Sequence, residues 1–265
     1  MEHPKGVKIL WLNPVGSSYM DEPVAEQIRI IKAPSTQADV VSYKMEGALD
    51  NLEFRTYEAL ITGHNVRMAR YAAEEGYDAL VMGCFYDTAL EDMREISGEA
   101  VVVGPCQAGV QIASNLANRF SVLVGRTKWI EQMQSNVRSY GYEHMLASMR
   151  SIATPANELQ ASTCETTNRF VEVGRQAIEE DRAEALVLGC TCSFGMHEAL
   201  QEELNVPVID PIYAPFKVAE HLAIVKKQFG WKPSRQWSCA APPEEALQAY
   251  RLFEAEPPIG NMISA

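Results

Sequence analysis

Two stretches of the chain end alike, on a glycine followed by a cysteine. Residues 75–84 read EGYDALVMGC and residues 181–190 read DRAEALVLGC, which places the two cysteines 106 residues apart. A thiol held near the backbone amides that open a helix gains thiolate character. One ionised and one neutral thiol on opposite sides of a ligand can remove a proton from a carbon centre and return one to its other face. Cys84 and Cys190 therefore indicate proton-transfer chemistry on a small molecule.

The elements around the cysteines alternate between short apolar runs and longer segments of helical period. Residues 7–12, residues 120–125 and the run before each Gly-Cys pair read as buried strands, and residues 56–76 read as a long helix that ends on a glycine. Strands that alternate with helices indicate βαβ units and a parallel sheet. Ligands of such sheets bind outside the carboxyl ends of the strands, where both Gly-Cys pairs fall.

The order of elements repeats with a constant offset. Cys84 precedes Pro105 by 21 residues, and Cys190 precedes Pro211 by the same 21. After each proline the pattern P-x-x-A-x-x-x-x-A-x-x-L-A recurs. Two copies exclude a solenoid, which needs at least three. A spacing held through a strand, a helix and a second strand indicates an internal duplication.

The duplication predicts an α/β protein with two similar doubly wound parallel-sheet domains. We expect them to be related by pseudo-two-fold symmetry, with the active site in the cleft between them. Residues 1–105 and 213–230 are assigned to the first domain and residues 106–212 to the second. Residues 231–265, rich in proline and tryptophan, are set apart as a C-terminal extension that packs across the surface or at a subunit contact, with one helix at 244–253.

Composition excludes several other classes of protein. The chain has 265 residues, 47% of them hydrophobic, which is enough for one or two cores. Its net charge of −12 without a basic stripe argues against nucleic acid, and no apolar run approaches the roughly 20 residues of a membrane span. The N-terminus has no small-residue cleavage site. We expect a cytoplasmic protein with a small-molecule substrate, no nucleic-acid or membrane partner, and a homo-oligomeric state.

The motifs resemble those of the aspartate/glutamate/hydantoin racemase superfamily, most closely its hydantoin and allantoin racemase branch. The resemblance spans about residues 7–222 and rests on LNPVGSSYM, LEFRTYEAL, GCFYDTALEDMRE, VVVGP, and LGCTCSF followed by VPVIDP. It implies a racemase or epimerase without a cofactor, in which Cys84 and Cys190 are the opposed acid and base. The implied substrate is a 5-substituted hydantoin or allantoin.

Residues beside the cysteines and after the first strand are predicted to contact the substrate: Asn13, Ser17, Phe85, Tyr86, Asp87, Thr191 and Cys192. The branch usually shows N-P-N-[ST] and C-F-D-D-P-G-L. Here Val15 replaces the second asparagine, Tyr86 the first aspartate, and Thr88 and Ala89 the Pro-Gly pair. The departures bear on substrate identity. Tyr86 is predicted to line the pocket and to favour a less polar substituent than the ureido group of allantoin.

The other cysteines and His197 can have either a functional or a structural role. Cysteines without the strand-glycine context are taken as packed or incidental thiols: Cys106, Cys164 and Cys239. Cys192 can line the pocket, form a redox pair with Cys190, or fill space. A surface role is favoured for His197, although its helix follows the second cysteine. Neither C-x-x-C nor H-x-x-x-H spacing occurs, so we expect no metal site.

Two rival functions remain open at this point. One keeps the cleft but uses a single cysteine, as superfamily isomerases of unsaturated diacids and decarboxylases of disubstituted malonates do. The other is a two-lobed binding protein that closes on a ligand without chemistry, although binding alone needs no second thiol. Uptake of solvent deuterium by the substrate separates a racemase from a binding protein.

Overall fold

The computed structural model describes residues 6–45 and 49–265, which form an α/β protein with two sheets. The chain divides into two compact units. The first comprises the residues up to Gly83, Thr88–Val103 and Phe216–Ala265, and the second comprises Cys84–Asp87 and Gly104–Pro215.

The first unit alternates strands and helices from its start. Its elements before residue 104 are β1 (Lys8–Asn13), α1 (Asp21–Ile31), β2 (Gln37–Tyr43), α2 (Arg55–Glu74), β3 (Ala79–Met82), α3 (Leu90–Ile96) and β4 (Val101–Val103). Gly76, on which the predicted helix ends, follows α2 with φ +71°, the left-handed conformation that glycine commonly adopts after a helix. The sheet has the order β4-β3-β1-β2-β9, where β9 (Ile259–Ser264) pairs antiparallel with β2 and all other pairs are parallel.

The second unit repeats this alternation. Its elements are α4 (Pro105–Leu116), β5 (Phe120–Val124), α5 (Ile130–Ser139), β6 (Leu146–Ser151), α6 (Thr163–Glu179), β7 (Ala185–Leu188), α7 (His197–Leu204) and β8 (Val208–Ile209). Its sheet is parallel with the order β6-β5-β7-β8. All residues of β5 and β7 are buried, as expected for strands covered by helices on both faces.

The two sheets share one strand order apart from β9. The order β2-β1-β3-β4 in the first corresponds to β6-β5-β7-β8 in the second. The alternation predicted from the sequence is thus confirmed as two parallel-sheet domains. Because β3 and β7 are equivalent in this order, each Gly-Cys pair follows the same strand of its own sheet.

The unit boundaries differ from the sequence assignment at four places. Residues 104–105 and 213–215, assigned to the first domain, are small shifts into the second unit, and the other two differences are larger. Residues 84–87, assigned to the first domain, group with the second unit, because Phe85 and Tyr86 belong to that unit's hydrophobic core. Residues 231–265, set apart as an extension, group with the first unit, because β9 adds a strand to its sheet. The apolar residues of β9, Ile259, Met262 and Ile263, do not alternate strictly, so the sequence analysis predicted only a helix at 244–253, which the structure shows as α9 (Glu244–Ala249).

The helix after residue 212, α8 (Tyr213–Phe229), carries its contacts into the first unit. The Glu220 carboxylate accepts hydrogen bonds from the Ala33 backbone and the Thr36 hydroxyl, and Lys226 pairs with Asp78 at 3.1 Å. Within the two described ranges, no helix is long and apolar enough to cross a membrane.

Candidate active site

The first cysteine loop, residues 83–89, leaves the sheet at the end of β3. The Gly83 N–H donates to the Leu12 carbonyl on β1 at 2.7 Å. A Cβ at position 83 would lie 2.5 Å from the Leu12 carbonyl oxygen and 2.7 Å from the Trp11 indole nitrogen. Glycine is required here because β1 passes too close for any side chain.

The second cysteine loop, residues 189–195, leaves β7 in the same way. The Gly189 N–H donates to the Leu123 carbonyl on β5 at 2.7 Å. A Cβ at position 189 would lie 2.8 Å from Val124 Cγ1 and 2.9 Å from Val122 Cγ1. Each Gly-Cys pair therefore has a glycine that fits the chain against the neighbouring strand and a cysteine just beyond the sheet.

Both loops turn immediately after the cysteine. The Asp87 N–H donates to the Cys84 carbonyl at 2.9 Å, and the Ser193 N–H donates to the Cys190 carbonyl at 2.9 Å. The turn orients both cysteines at the carboxyl ends of their strands, and both residues are half-buried. None of the six cysteines, all of which the structure describes, is in a disulfide.

Cys84 and Cys190 both belong to the second unit and influence each other electrostatically. A hydrogen bond with the Cys192 side chain, burial, and the charges of Cys192 and Cys84 all raise the pKa of the Cys190 thiol well above its usual range. The Cys192 backbone N–H acts in the opposite direction. Cys190 is therefore held as a neutral thiol near pH 7, the form that can donate a proton.

The residues next to Cys84 pack into the core of the second unit. Phe85 and Tyr86 are 2% and 7% exposed, and both lie in its hydrophobic cluster. The Asn136 side-chain amide donates to the Tyr86 carbonyl at 2.7 Å. The structure shows both residues packed in this core, and their predicted contact with the substrate stays a prediction.

Asp87 caps the N-terminus of α4. One carboxylate oxygen accepts the Cys106 N–H and the other accepts the Gln107 N–H, both at 2.9 Å, and the Tyr140 hydroxyl also donates to it. A Cβ at Gly104 would overlap this carboxylate, so position 104 must be glycine while Asp87 is present. The side chain predicted to bind substrate thus stabilises the helix dipole and orients the first cysteine loop.

Where the chain returns to the first unit, Thr88 anchors the same loop. Its hydroxyl donates to the Glu58 carboxylate at 2.8 Å, and the Asn65 amide donates to its carbonyl at 3.3 Å. All three side chains are buried, which indicates that the loop is held rigidly at this point.

In the second copy the helix cap comes from Asp210, a residue that the sequence analysis did not single out. One oxygen accepts the N–H groups of Ile212 and Tyr213 at 2.8 and 3.0 Å. The other accepts the Gly195 N–H at 3.0 Å and lies 3.4 Å from His197 Nδ1. The Asp210 carboxylate, 3.4 Å away, raises the pKa of His197 against the opposing effect of burial. Asp210 directly precedes Pro211 in the sequence, and this position is the signal that could have identified Asp210 as a helix cap.

The remaining predicted contacts of the second loop lie in a single 3₁₀ turn, Thr191–Ser193. Thr191 and Cys192 are half-buried, and the Gln160 side-chain amide donates to the Cys192 carbonyl at 2.7 Å. Of the other thiols, Cys106 is buried within α4 and burial raises its pKa, whereas Cys164 and Cys239 are exposed.

Asn13 lies at the end of β1 inside a polar network of the first unit. Its side-chain oxygen accepts the Trp11 indole N–H at 2.8 Å, and its amide donates to Asp21 at 2.7 Å. Asp21, fully buried, also accepts hydrogen bonds from Ser42 and Asn261. Ser17 is half-buried in the loop that follows. Over residues 6–45 and 49–265, no group of three or more ligating side chains could hold a metal ion.

Comparison with known proteins identifies the family to which the chain belongs. A family model described as Asp/Glu/hydantoin racemase matches residues 9–219. The hydantoin racemase of Paenarthrobacter aurescens is 31% identical over 245 residues, covering 90% of this chain and 99% of that protein. The hydantoin racemase of Pseudomonas sp. (strain NS671) is 30% identical over 222 residues, covering 84% and 88%.

Solved structures give the same assignment. The allantoin racemase from Klebsiella pneumoniae superposes with a TM-score of 0.83 at 28% identity, covering 93% of this chain and 98% of that one. The glutamate racemase from Francisella tularensis, at 13% identity and a TM-score of 0.61, shares the fold. The fold and the paired cysteine loops thus define an α/β racemase, an isomerase. The chain belongs to the Asp/Glu/hydantoin racemase family.

Proposed function

We propose that this racemase inverts the configuration at C5 of a 5-substituted hydantoin or an allantoin-like compound, using Cys84 and Cys190 and no cofactor. The observation that carries the proposal is the pair of equivalent cysteine loops, each with its thiol just beyond the same strand of its sheet. The names of the relatives support the substrate class, since hydantoin and allantoin are both cyclic ureides with an acidified C–H beside a carbonyl.

The different surroundings of the two thiols support a division of labour in the resting enzyme. Cys190, kept neutral by Cys192 and by burial, is the acid. Cys84 as thiolate removes the C5 proton of one enantiomer, and the electron pair of the C–H bond moves onto the adjacent carbonyl oxygen. Cys190 then delivers its proton to the opposite face of C5. The other enantiomer reacts with the roles reversed, which regenerates the starting protonation state.

Two kinds of neighbour are proposed to assist the thiols. The hydroxyl of Thr191 and the backbone amides of the 3₁₀ turn stabilise the negative charge that develops on the carbonyl oxygen. Asn13, the last residue of β1, and Ser17, in the loop that follows, are proposed to contact the ring. Because Asn13 already bonds Trp11 and Asp21, we expect its contribution to be positional as well as direct.

The test is proton exchange measured together with optical rotation. Each enantiomer of a 5-substituted hydantoin, and of allantoin, is incubated separately in deuterium oxide with enzyme that has been dialysed against a chelator. We expect loss of rotation accompanied by deuterium at C5, from both enantiomers. Cys164→Ser, which replaces an exposed thiol, is the matched control and should behave as the wild type.

The other outcomes identify the rival functions. Deuterium incorporation into one enantiomer without racemisation would favour a single-cysteine enzyme, as would carbon dioxide release from a disubstituted malonate. Saturable binding of a hydantoin with no exchange at C5 would favour a binding protein and contradict the proposed chemistry.

A further inference from the structure

A row of polar side chains crosses the first sheet from β1 to the last strand of the chain. Asn13 on β1 lies opposite Ser42 on β2 in the parallel register, and Ser42 lies opposite Asn261 on β9 in the antiparallel register. Residues directly opposite each other on neighbouring strands point to the same face of the sheet. The three polar side chains therefore lie side by side on one face.

One buried carboxylate accepts hydrogen bonds from the whole row. Asp21 lies in the first turn of α1 and is fully buried. Its Oδ1 accepts the Asn13 amide at 2.7 Å, and its Oδ2 accepts the Ser42 hydroxyl at 2.7 Å and the Asn261 amide at 2.8 Å. Donors on three different strands thus fix the carboxylate in one position, and the helix N-terminus favours its negative charge.

We propose that Asp21 and Asn261 are positioning residues of the racemase. They fix the Asn13 amide so that it presents an N–H group to a carbonyl oxygen of the substrate ring. The ring as the ligand rests on the proposed function, whereas the orientation of Asn13 does not.

The partners of Asn13 decide which way its amide faces. The Trp11 indole can only donate and the Asp21 carboxylate can only accept, so the Asn13 oxygen faces Trp11 and its nitrogen faces Asp21. An amide rotated by 180° would set two donors against each other at Trp11. The bond to Asp21 uses one of the two amide hydrogens, and Asn13 keeps 6% of its surface exposed. The second hydrogen is the one that a carbonyl oxygen of a ligand can accept.

Asn13 lies where the first cysteine loop begins. The carbonyl of the preceding residue, Leu12, accepts the Gly83 N–H at 2.7 Å. The Trp11 indole nitrogen, which donates to Asn13, would lie 2.7 Å from a Cβ at position 83. The amide that Asp21 orients is therefore next to the loop whose thiol is proposed to remove the C5 proton.

The backbone of β9 places Asn261 at the end of the row. A Cβ at Gly260 would lie 2.5 Å from the Tyr43 carbonyl oxygen, so β9 approaches β2 more closely than a side chain would allow. Three residues after Asn261, the Ser264 hydroxyl donates to Asp39 on β2 at 2.8 Å. The strand is thus held on both sides of Asn261, which links the C-terminal segment of the chain to Asn13.

The kinetic test compares two variants of β9 in the full-length protein. Asn261→Ala removes a donor to Asp21, so the Asn13 amide is held less well. We expect KM for the hydantoin to rise by about threefold to tenfold while kcat stays within about twofold, because a contact made equally in the ground and transition states affects KM alone. Ser264→Ala is the matched control: it removes a hydrogen bond of the same length from the same strand, to Asp39, and should leave KM unchanged.

A double-mutant cycle shows whether Asn261 acts through Asn13. Asn13→Ala should raise KM by about tenfold, and adding Asn261→Ala should raise it no further. Rises in KM that multiply in the double variant would overturn the proposal. A rise in KM for Ser264→Ala as large as that for Asn261→Ala would overturn it as well, because the effect would then belong to the strand in general.

A second measurement does not depend on activity. The chain has four tryptophans, so the Trp11 indole N–H gives one of four such NMR signals, which Trp11→Phe assigns. Because this indole donates to Asn13, Asn261→Ala should shift its resonance and speed its exchange with deuterium oxide, and Ser264→Ala should do neither. An unchanged Trp11 signal in Asn261→Ala would overturn the proposal.

The two measurements separate this proposal from the proposed function. A wild type that neither racemises nor exchanges hydantoin or allantoin refutes the proposed function, and a shifted Trp11 signal in Asn261→Ala then still supports the positioning of Asn13. An active wild type whose Asn261→Ala variant keeps the wild-type KM despite a shifted signal leaves the proposed function standing and refutes this proposal.

Discussion

The two cysteine loops begin alike and then diverge. Each opens on a glycine whose N–H bonds the neighbouring strand at 2.7 Å, followed by a cysteine whose carbonyl accepts an N–H three residues later at 2.9 Å. In the first loop the third residue after the cysteine is Asp87, which caps the following helix, and Gly104 leaves room for it. In the second, the residues at the same offset of 106 are Ser193 and Asp210, and Asp210 is the cap.

The helix cap is Asp87 in the first copy and Asp210 in the second, and this difference shows what the duplicated motif requires. The helix N-terminus after each fourth strand needs a carboxylate, but the carboxylate can come from the loop or from the end of the strand. When it comes from the strand, the loop position is open to serine, and the free oxygen of Asp210 reaches Gly195 and His197 instead. The second loop is thereby tied to a histidine through Asp210, whereas the first loop is tied to the Glu58 carboxylate through Thr88.

The largest effect is expected from the thiols themselves. Cys84→Ser and Cys190→Ser should each lower racemisation by about 10²–10⁴-fold in both directions, because serine is too weak an acid to serve as a base. Each variant should keep exchange of solvent deuterium with one enantiomer, and the two variants should keep opposite enantiomers.

The control for this pair is Cys164→Ser, measured by polarimetry and by deuterium incorporation in parallel. If both active-site variants lose exchange with the same enantiomer, the two loops do not have mirrored roles. A Cys190→Ser protein that racemises at the wild-type rate would remove Cys190 from the mechanism.

The next effect concerns the exchanged caps. Asp87→Ser should destabilise the protein by about 2 kcal/mol, because two N–H groups in the first turn of α4 and the Tyr140 hydroxyl lose their acceptor. Gly104→Asp should destabilise it by a similar amount, because its Cβ overlaps the Asp87 carboxylate. The double variant rebuilds the arrangement of the second copy and should be more stable than either single variant by about 1 kcal/mol.

The double-mutant cycle is measured by the urea unfolding midpoints of the wild type, the two single variants and the double variant. Simple addition of the two losses would show that the two copies do not share an interchangeable cap.

A smaller effect should distinguish the loops by pH. The pKa of His197 is raised in the folded protein by Asp210, so its stabilisation is fully present below the ordinary histidine pKa and is lost as the pH rises through the raised value. We expect the contribution of His197 to the free energy of unfolding to change by less than about 1 kcal/mol between about pH 5 and 8. His197→Gln should remove this part of the pH dependence of the melting temperature. His64, whose pKa is lowered, acts in the opposite sense and is unchanged in that comparison. If the melting temperature of His197→Gln depends on pH as that of the wild type does, the pair of His197 and Asp210 contributes nothing to stability.

The smallest effect lies in the backbone. Ala89 and Gly195 occupy equivalent positions and both are left-handed, with φ of +58° and +74°. Ala89→Gly should relieve strain and stabilise the protein by about 0.5–1 kcal/mol, and Gly195→Ala, whose Cβ would meet nothing within 4 Å, should cost about 1 kcal/mol. Thermal unfolding of both variants tests these two expectations. Changes in melting temperature of the same sign in the two variants would contradict the prediction.

The sequence by itself determined the parts of this protein that depend on periodicity and spacing. Buried strands, amphipathic helices and the offset of 106 residues are local or repeated signals, so the alternation, the two parallel sheets and the equivalent Gly-Cys pairs were all predictable. The paired glycines were visible in the repeat as well, whereas the neighbouring strand that requires each of them is seen only in the structure.

Other features were decided only by the tertiary structure. Which carboxylate caps which helix depends on distances between segments up to 20 residues apart, as between Asp87 and Gln107, and residue type alone does not tell a cap from a ligand. The grouping of residues 84–87 with the second unit rests on the packing of Phe85 and Tyr86, and the place of β9 rests on hydrogen bonds to β2, more than 200 residues earlier. Such pairings are formed by burial and backbone hydrogen bonding of the whole chain, so no short stretch of sequence encodes them.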